Sequence, residues 1–180
     1  REISDEIHNI SSTLEREFAL LIYIDKLYAI YNFSNKFNAQ IPALTKEKQI
    51  RLIEAKHPLL LLSKTQVEPL NLELKDKKVL VITGPNAGGK TVTIKTIGLL
   101  TAMAISGLPV PASASSIVPF VSSIYVDLYH EGSIEEHLSS FASHVITLRE
   151  IVEEAESESL ILLDEIGTNT DPEEGSALAC

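Results

Sequence analysis

One eight-residue stretch of this chain matches the phosphate-binding pattern G-x-x-x-x-G-K-[ST] at every required position. It consists of Gly84, Pro85, Asn86, Ala87, Gly88, Gly89, Lys90 and Thr91. Glycines let the backbone wrap closely around phosphate, so that successive N–H groups and the dipole of a following helix face the anion. The pattern therefore predicts that Lys90 binds the β- and γ-phosphates of a nucleotide and that the Thr91 hydroxyl is a ligand of Mg²⁺.

A second candidate for chemistry is the acidic pair Asp164 and Glu165, which directly follows four apolar residues. A carboxylate at the end of a buried parallel strand can face the phosphate loop of a neighbouring strand. We expect Asp164 to hold Mg²⁺ and Glu165 to polarise the attacking water as general base. The alternative is a strand that ends in surface acids. Lys90 and Thr91 upstream favour the catalytic interpretation, in which a nucleoside triphosphate is hydrolysed.

The elements that must position these residues alternate between strand and helix. A β-branched apolar run, residues 79–83, predicts a buried parallel strand before the loop, and a helical pattern runs from Thr91 to about Ser106. Further strands are predicted at residues 50–54, 70–74, 115–120, 123–128 and 160–163, and a further helix at about residues 139–155. This order indicates an α/β fold with a mixed or parallel sheet flanked by helices.

The two ends of the chain have their own patterns. Apolar residues at alternating steps of three and four predict an amphipathic helix of about 35 residues, either a lever arm or an ordinary bundle helix. We therefore divide the chain into a helical segment, residues 1–40, and an α/β segment, residues 41–180. Residues 171–174 predict a helix start, with proline and acids in the first turn. We expect the α/β domain to continue beyond residue 180.

The composition of the chain limits the classes of partner, such as nucleic acid or membrane, that it can be expected to contact. The chain has 180 residues, a hydrophobic fraction of 44% and a formal net charge of −10. A free-standing DNA-binding domain usually carries a basic stripe, so any contact with nucleic acid is expected to need regions outside this chain. The single cysteine, Cys180, excludes an internal disulfide and predicts a cytoplasmic setting. No apolar run approaches the roughly 20 residues that span a membrane, so no membrane contact is expected.

Two serines, Ser139 and Ser140, lie at a predicted helix start. Serine hydroxyls and N-terminal amides can together bind an anion, but a simple helix cap has the same pattern. From spacing alone both interpretations stay open. A nearby group of titratable residues has no zinc-type spacing such as H-x-x-x-H, so its histidines are interpreted as surface and helix-face residues and not as metal ligands. The group consists of His130, His137 and His144 with Glu131, Glu135 and Glu136.

These motifs together resemble the ATPase domain of the MutS family. The resemblance is carried by residues 84–91, by Leu138-Ser139-Ser140-Phe141 and by Leu162-Leu163-Asp164-Glu165-Ile166-Gly167. Residues 55–60 and 69–72 are similar to the segment that precedes the family's phosphate loop. Ala87 and residues 170–175 point to the bacterial anti-recombination branch (MutS-two). The resemblance covers about residues 48–180.

The resemblance implies a P-loop NTPase of the ABC type that acts as a homodimer and hydrolyses ATP with Mg²⁺. In such a dimer Ser139 and Ser140 of one subunit would contact the γ-phosphate held by the other. The cycle would clamp and release branched or mismatched DNA and so suppress homologous recombination. Some members of the branch resemble factors that act on stalled ribosomes, which makes a ribosome-associated, nucleotide-gated dimerisation module the alternative. Another ABC-type ATPase is a third possibility, although those typically carry Leu-Ser-Gly-Gly at the serine segment.

Three positions depart from the branch pattern. Ser140 stands where threonine is usual, and Asn169 stands where the branch has glycine. Gly132 replaces a glutamine that would reach toward Mg²⁺ and water, which favours the dimerisation alternative. The family's switch histidine should lie beyond residue 180, so we expect weak hydrolysis by the isolated chain.

Overall fold

The computed structural model of the chain describes residues 2–63, 66–85, 88–128 and 137–165, with the helical backbone alone for residues 2–9 and 137–143. These residues form a mixed α/β fold. In chain order the elements are α1 Glu2–Phe37, β1 Ala43–Thr45, β2 Ile50–Ala55, α2 Pro58–Leu62, β3 Leu70–Leu74, α3 Lys90–Ile105, β4 Ile117–Pro119, β5 Ser123–Asp127, α4 His137–Glu154 and β6 Ser159–Leu163.

A four-stranded mixed sheet has the strand order β1-β4-β2-β3. Strand β4 runs parallel to β1 and antiparallel to β2, and β2 is antiparallel to β3. Leu52 of β2 and Val118 of β4 are almost fully buried, and both belong to the main hydrophobic core. The alternating apolar and polar residues of β3 have the same alternation in burial, as the sequence predicts for a half-exposed strand.

A separate two-stranded sheet is formed by β5 and β6, which pair in parallel from Ser123 opposite Ser159 to Asp127 opposite Leu163. Parallel strands have their carboxyl ends at the same edge of a sheet. Asp127 therefore lies beside the point where the chain leaves β6 and continues into Asp164.

Helix α3 joins the two sheets. Its apolar residues, Leu100 among them, are buried in the core that also contains the four-stranded sheet. Gly98 faces β6 so closely that an added Cβ would overlap the Cδ1 atom of Leu162. Since glycine removes this clash, α3 can lie directly on β6. The first turn of α3 and the end of β6 are thereby held close together.

The prediction of a buried parallel strand at residues 79–83 is wrong. The segment forms no strand, and no described residue pairs with it in a ladder. Val79 and Val81 are 75% and 76% exposed, whereas Ile82 packs against the core. A β-branched run predicts burial on both faces only if other strands flank it. Here β5 and β6 pair with each other, and one face of the segment stays exposed.

The predicted N-terminal helix is confirmed in kind and length. Helix α1 has 36 residues and is about 54 Å long. Its apolar side chains are exposed all around the axis, including Phe18 (65%), Leu20 (58%) and Leu21 (62%). The described residues therefore do not cover its apolar surface. No helix in the described part of the chain is long and apolar enough to span a membrane.

The remaining predicted elements agree with the structure within a few residues, but two short elements were not predicted. These are β1 and α2, of three and five residues. Pro58 is the first residue of α2, a position where a missing N–H costs nothing. The helix start predicted at residues 171–174 lies outside the described residues.

Candidate functional site

The two motifs predicted to share one site meet between the start of α3 and the end of β6. The Thr91 hydroxyl donates a short hydrogen bond to the carboxylate of Asp164, although 73 positions separate the two residues. Asp164 is only 6% exposed. Close packing of Gly98 on Leu162 holds the helix and strand in the arrangement that makes this contact possible. The structure therefore brings Thr91 and Asp164 together as predicted.

The side chain of Lys90 contacts the start of the loop that precedes α3. The ammonium group donates to the carbonyl oxygens of Gly84 at 2.9 Å and Pro85 at 3.1 Å. The Gly88 N–H donates to the same Pro85 carbonyl at 2.9 Å, which fixes the curvature of the loop. The Lys90 ammonium group therefore lies against the loop in which the sequence predicts a bound phosphate. Asn86 and Ala87, the other predicted loop residues, lie outside the described residues.

The first turn of α3 provides further groups for an anion. Gly89 is the N-cap of α3, and its backbone is in the left-handed conformation with φ of +80°. Residues that carry a side chain rarely adopt this conformation. No described side chain caps this helix end. Because the first N–H groups of an α-helix have no intrahelical acceptor, the start of α3 presents donors and the positive end of the helix dipole. Such an end favours phosphate.

The donor set of Thr91 and Asp164 fits a hard divalent cation. A buried carboxylate is costly unless it is paired or coordinates a metal. In the described part of the chain no ion pair joins Asp164 to a basic side chain. Its recorded side-chain partner is the Thr91 hydroxyl, and carboxylate and hydroxyl oxygens are ligands that Mg²⁺ prefers. These residues could thus hold Mg²⁺ next to phosphates bound by the loop.

Glu165 follows Asp164 in an unusual backbone conformation. Its φ is +52°, in the left-handed region that residues other than glycine seldom occupy. Such conformations cost energy and concentrate at functional sites. The turn changes the chain direction immediately after β6 and leaves the Glu165 side chain partly buried. Its role as general base stays a prediction.

A neighbouring pair, Asp127 and His144, was not predicted. The Nδ1 atom of His144 lies 2.7 Å from the Asp127 carboxylate, and the two side chains are 19% and 14% exposed. The backbone carbonyl of Asp127 also accepts the N–H of Asp164 at 2.9 Å. One sequence signal could have indicated Asp127: it lies next to the end of a predicted strand, and Asp164 directly follows another. His144 has no such signal, because its contact depends on how α4 packs.

Ser139 and Ser140 belong to the first turn of α4 by their backbone. Their side chains lie outside the described residues, and so do Gly132 and Asn169. Their assigned roles therefore stay predictions. A helix N-terminus at this position agrees with both the anion-site and the simple-cap interpretation.

His57 is a partly buried histidine in the turn before α2. Burial, and secondarily the positive charge of Lys95 on α3, lowers the pKa of His57 from its ordinary value of 6.5. Its Nδ1 atom is buried and has no hydrogen-bond partner among the described residues. The imidazole is therefore held neutral near pH 7.

Comparison with known proteins agrees with these motifs. The model of the family described as MutS domain V matches residues 80–180. Endonuclease MutS2 of Thermotoga petrophila is 43% identical over 180 residues, and that of a Geobacillus species is 42% identical over 179 residues, in each case 99% of this chain. Endonuclease MutS2 of Fusobacterium nucleatum is 44% identical over 160 residues, 88% of this chain. The chain spans 20–23% of the length of these relatives.

Proposed function

Since this chain belongs to the MutS family, we propose that it is part of a P-loop, ABC-type ATPase that hydrolyses ATP to ADP and phosphate with Mg²⁺. The observation that carries the proposal is the hydrogen bond between Thr91 and Asp164. It unites the phosphate loop with the acidic strand end, two features that are each unspecific alone. A phosphate-binding loop without that carboxylate would account for binding but not for hydrolysis.

Each residue of the site has a distinct task in this proposal. Lys90 and the N-terminal amides of α3 bind the β- and γ-phosphates and stabilise the charge on them. Thr91 and Asp164 hold Mg²⁺, which neutralises phosphate charge when bound. Glu165 accepts a proton from the water that attacks the γ-phosphate. The carbonyl oxygens of Gly84 and Pro85 accept hydrogen bonds from the ammonium of Lys90, which places the cation beside the loop.

The same proposal covers the domain organisation. We assign residues 41–180 to the ATPase domain and residues 1–40 to a lever segment attached to it. Exposed apolar residues around α1 support a lever that contacts other protein surfaces, because an isolated helix gains little stability from its own sequence. In the dimer, Ser139 and Ser140 contact the γ-phosphate held by the partner subunit.

We extend the proposal to the whole protein, because the chain spans only 20–23% of the length of its relatives. The relatives are named Endonuclease MutS2, so we propose that the chain serves a cytoplasmic protein that acts on branched or mismatched DNA and limits recombination. The net charge of −10 supports placing the DNA contacts in regions outside this chain.

A second candidate is a nucleotide-gated dimerisation module that acts on ribosomes. Gly132, in place of a glutamine directed toward Mg²⁺ and water, favours it. In this case ATP binding closes the dimer and turnover is incidental. Crosslinking of the full-length protein in cells separates the two candidates, since it captures DNA in one case and ribosomal RNA in the other.

The test of hydrolysis is the substitution Glu165→Gln in the full-length protein. It keeps the size of the side chain but removes the base, so turnover should fall by about 100-fold or more while ATP binding is retained. Glu158→Gln, just before the start of the same strand, is the matched control and should leave the rate unchanged. Equal rates for the parent and Glu165→Gln would contradict the enzyme proposal.

A further inference from the structure

Asp127 connects two elements that the proposed site needs. Its backbone carbonyl accepts the N–H of Asp164 at 2.9 Å, and its carboxylate accepts a hydrogen bond from Nδ1 of His144 at 2.7 Å. The first contact fixes the chain where β6 ends, and the second fixes α4. A single residue thus ties the helix to the strand end that carries Asp164.

The connection is short and largely shielded from water. The side chains of His144 and Asp127 are 19% and 14% exposed, so solvent weakens their interaction less than it would at the surface. A second, longer link joins the same elements, because the Tyr125 hydroxyl donates to the Glu154 carbonyl at 3.3 Å. Helix α4 is thereby held against β5 near its middle and at its C-terminal end.

The position of His144 along α4 places this connection close to the serine segment, Ser139 and Ser140, on the same helix. His144 lies four residues after Ser140, about 6 Å further along the helix axis. Residues four apart in a helix share a face and move together as the helix moves. A displacement of the first turn of α4 must therefore reach Asp127, and through its backbone Asp164.

We infer that Asp127 and His144 form a positioning pair that couples the start of α4 to the carboxylate of Asp164. The inference rests on the proposed ATPase function. The two residues act through Asp164 and do not take part in the chemistry themselves. When a ligand at the serine segment moves α4, the pair sets the position of Asp164 relative to Thr91. Hydrolysis then becomes sensitive to what α4 contacts.

The test compares three variants of the full-length protein. His144→Ala removes the hydrogen-bond donor, and His144→Asn retains a donor close to the position of Nδ1. Arg149→Ala is the matched control, since it breaks an exposed ion pair with Glu153 on the same helix. For each variant, kcat and KM for ATP are measured, and amide hydrogen exchange of Asp164 is followed without nucleotide.

We expect His144→Ala to lower kcat by about tenfold with less than about a threefold change in KM, and to speed exchange of the Asp164 amide. His144→Asn should restore most of the lost kcat and most of the protection of the Asp164 amide from exchange. Arg149→Ala should alter neither kcat nor that exchange. The inference is overturned if His144→Ala leaves the exchange of the Asp164 amide unchanged, or if His144→Asn is as impaired as His144→Ala. If the parent protein hydrolyses no ATP, the proposed function fails, whereas the exchange measurement still decides whether the pair holds Asp164.

Discussion

The four-stranded sheet and the candidate-site region, which comprises residues 79–91, α3, β5 and β6, differ in how their strands are supported. In the four-stranded sheet, β2 lies between two hydrogen-bonded neighbours, and Leu52 is 1% exposed. In the candidate-site region, β5 and β6 pair only with each other among the described residues, and Val81 is 76% exposed. Residues 79–83 carry no charge and β2 contains Arg51 and Glu54, yet residues 79–83 are the more exposed segment. We therefore expect stability to come mainly from the first region, whereas the second holds the candidate site and depends on α3 for its position.

The largest expected effect tests this contrast directly. Leu52→Ala leaves a cavity in the packed core and should lower the free energy of unfolding of this chain by about 3 kcal/mol. Val81→Ala removes an exposed side chain and should change it by no more than about 0.5 kcal/mol. Denaturant unfolding monitored by circular dichroism measures both. A loss of stability in Val81→Ala as large as that in Leu52→Ala would show that residues 79–83 are packed.

A smaller effect is expected where α3 connects the two regions. Gly98→Ala places a methyl group against Leu162, which must move, so it should cost about 2 kcal/mol and weaken ATP binding. The substitution Leu162→Val shortens the opposing side chain and serves as the matched background. In that background Gly98→Ala should cost clearly less. An identical cost in both backgrounds would mean that the contact between α3 and β6 does not position the site.

The smallest effect concerns His57 and its dependence on pH. Because the folded state lowers the pKa of His57 below 6.5, the unfolded chain binds the proton more tightly. The stability contributed by neutral His57 is therefore fully present above pH 6.5 and is lost as the pH falls below that value. His57→Gln should flatten this part of the pH profile, and Lys95→Gln should flatten it less. The same pH dependence in the parent and in His57→Gln would contradict the assigned cause.

Local signals in the sequence were sufficient for much of the fold. Helix α3 was predicted from Thr91 to about Ser106 and is observed at Lys90–Ile105, because glycines border an apolar stretch of helix formers. Strand β6 was predicted from four apolar residues and differs by one residue at its start. The contact between Thr91 and Asp164 was predicted as well, since the two motifs have fixed places relative to a strand and a helix.

Interactions that depend on distant partners could not be predicted. Residues 79–83 have the composition of a buried strand, but a strand exists only when a neighbour supplies its hydrogen bonds. The contact between Asp127 and His144 depends on the packing of α4 against β5, which no periodicity in the sequence specifies. The exposure of α1 on all sides is a similar case. Its apolar pattern predicted a helix correctly but could not identify what covers it.

The central claim is that the loop around Lys90 binds the phosphates of ATP. The most direct test is isothermal titration of ATP with Mg²⁺ into this chain, into Lys90→Ala, and into Lys78→Ala as an exposed-lysine control. The account predicts that Lys90→Ala weakens ATP binding by at least about tenfold, because it removes the cation that lies against the loop, while Lys78→Ala binds like the parent. An unchanged affinity in Lys90→Ala would contradict the account.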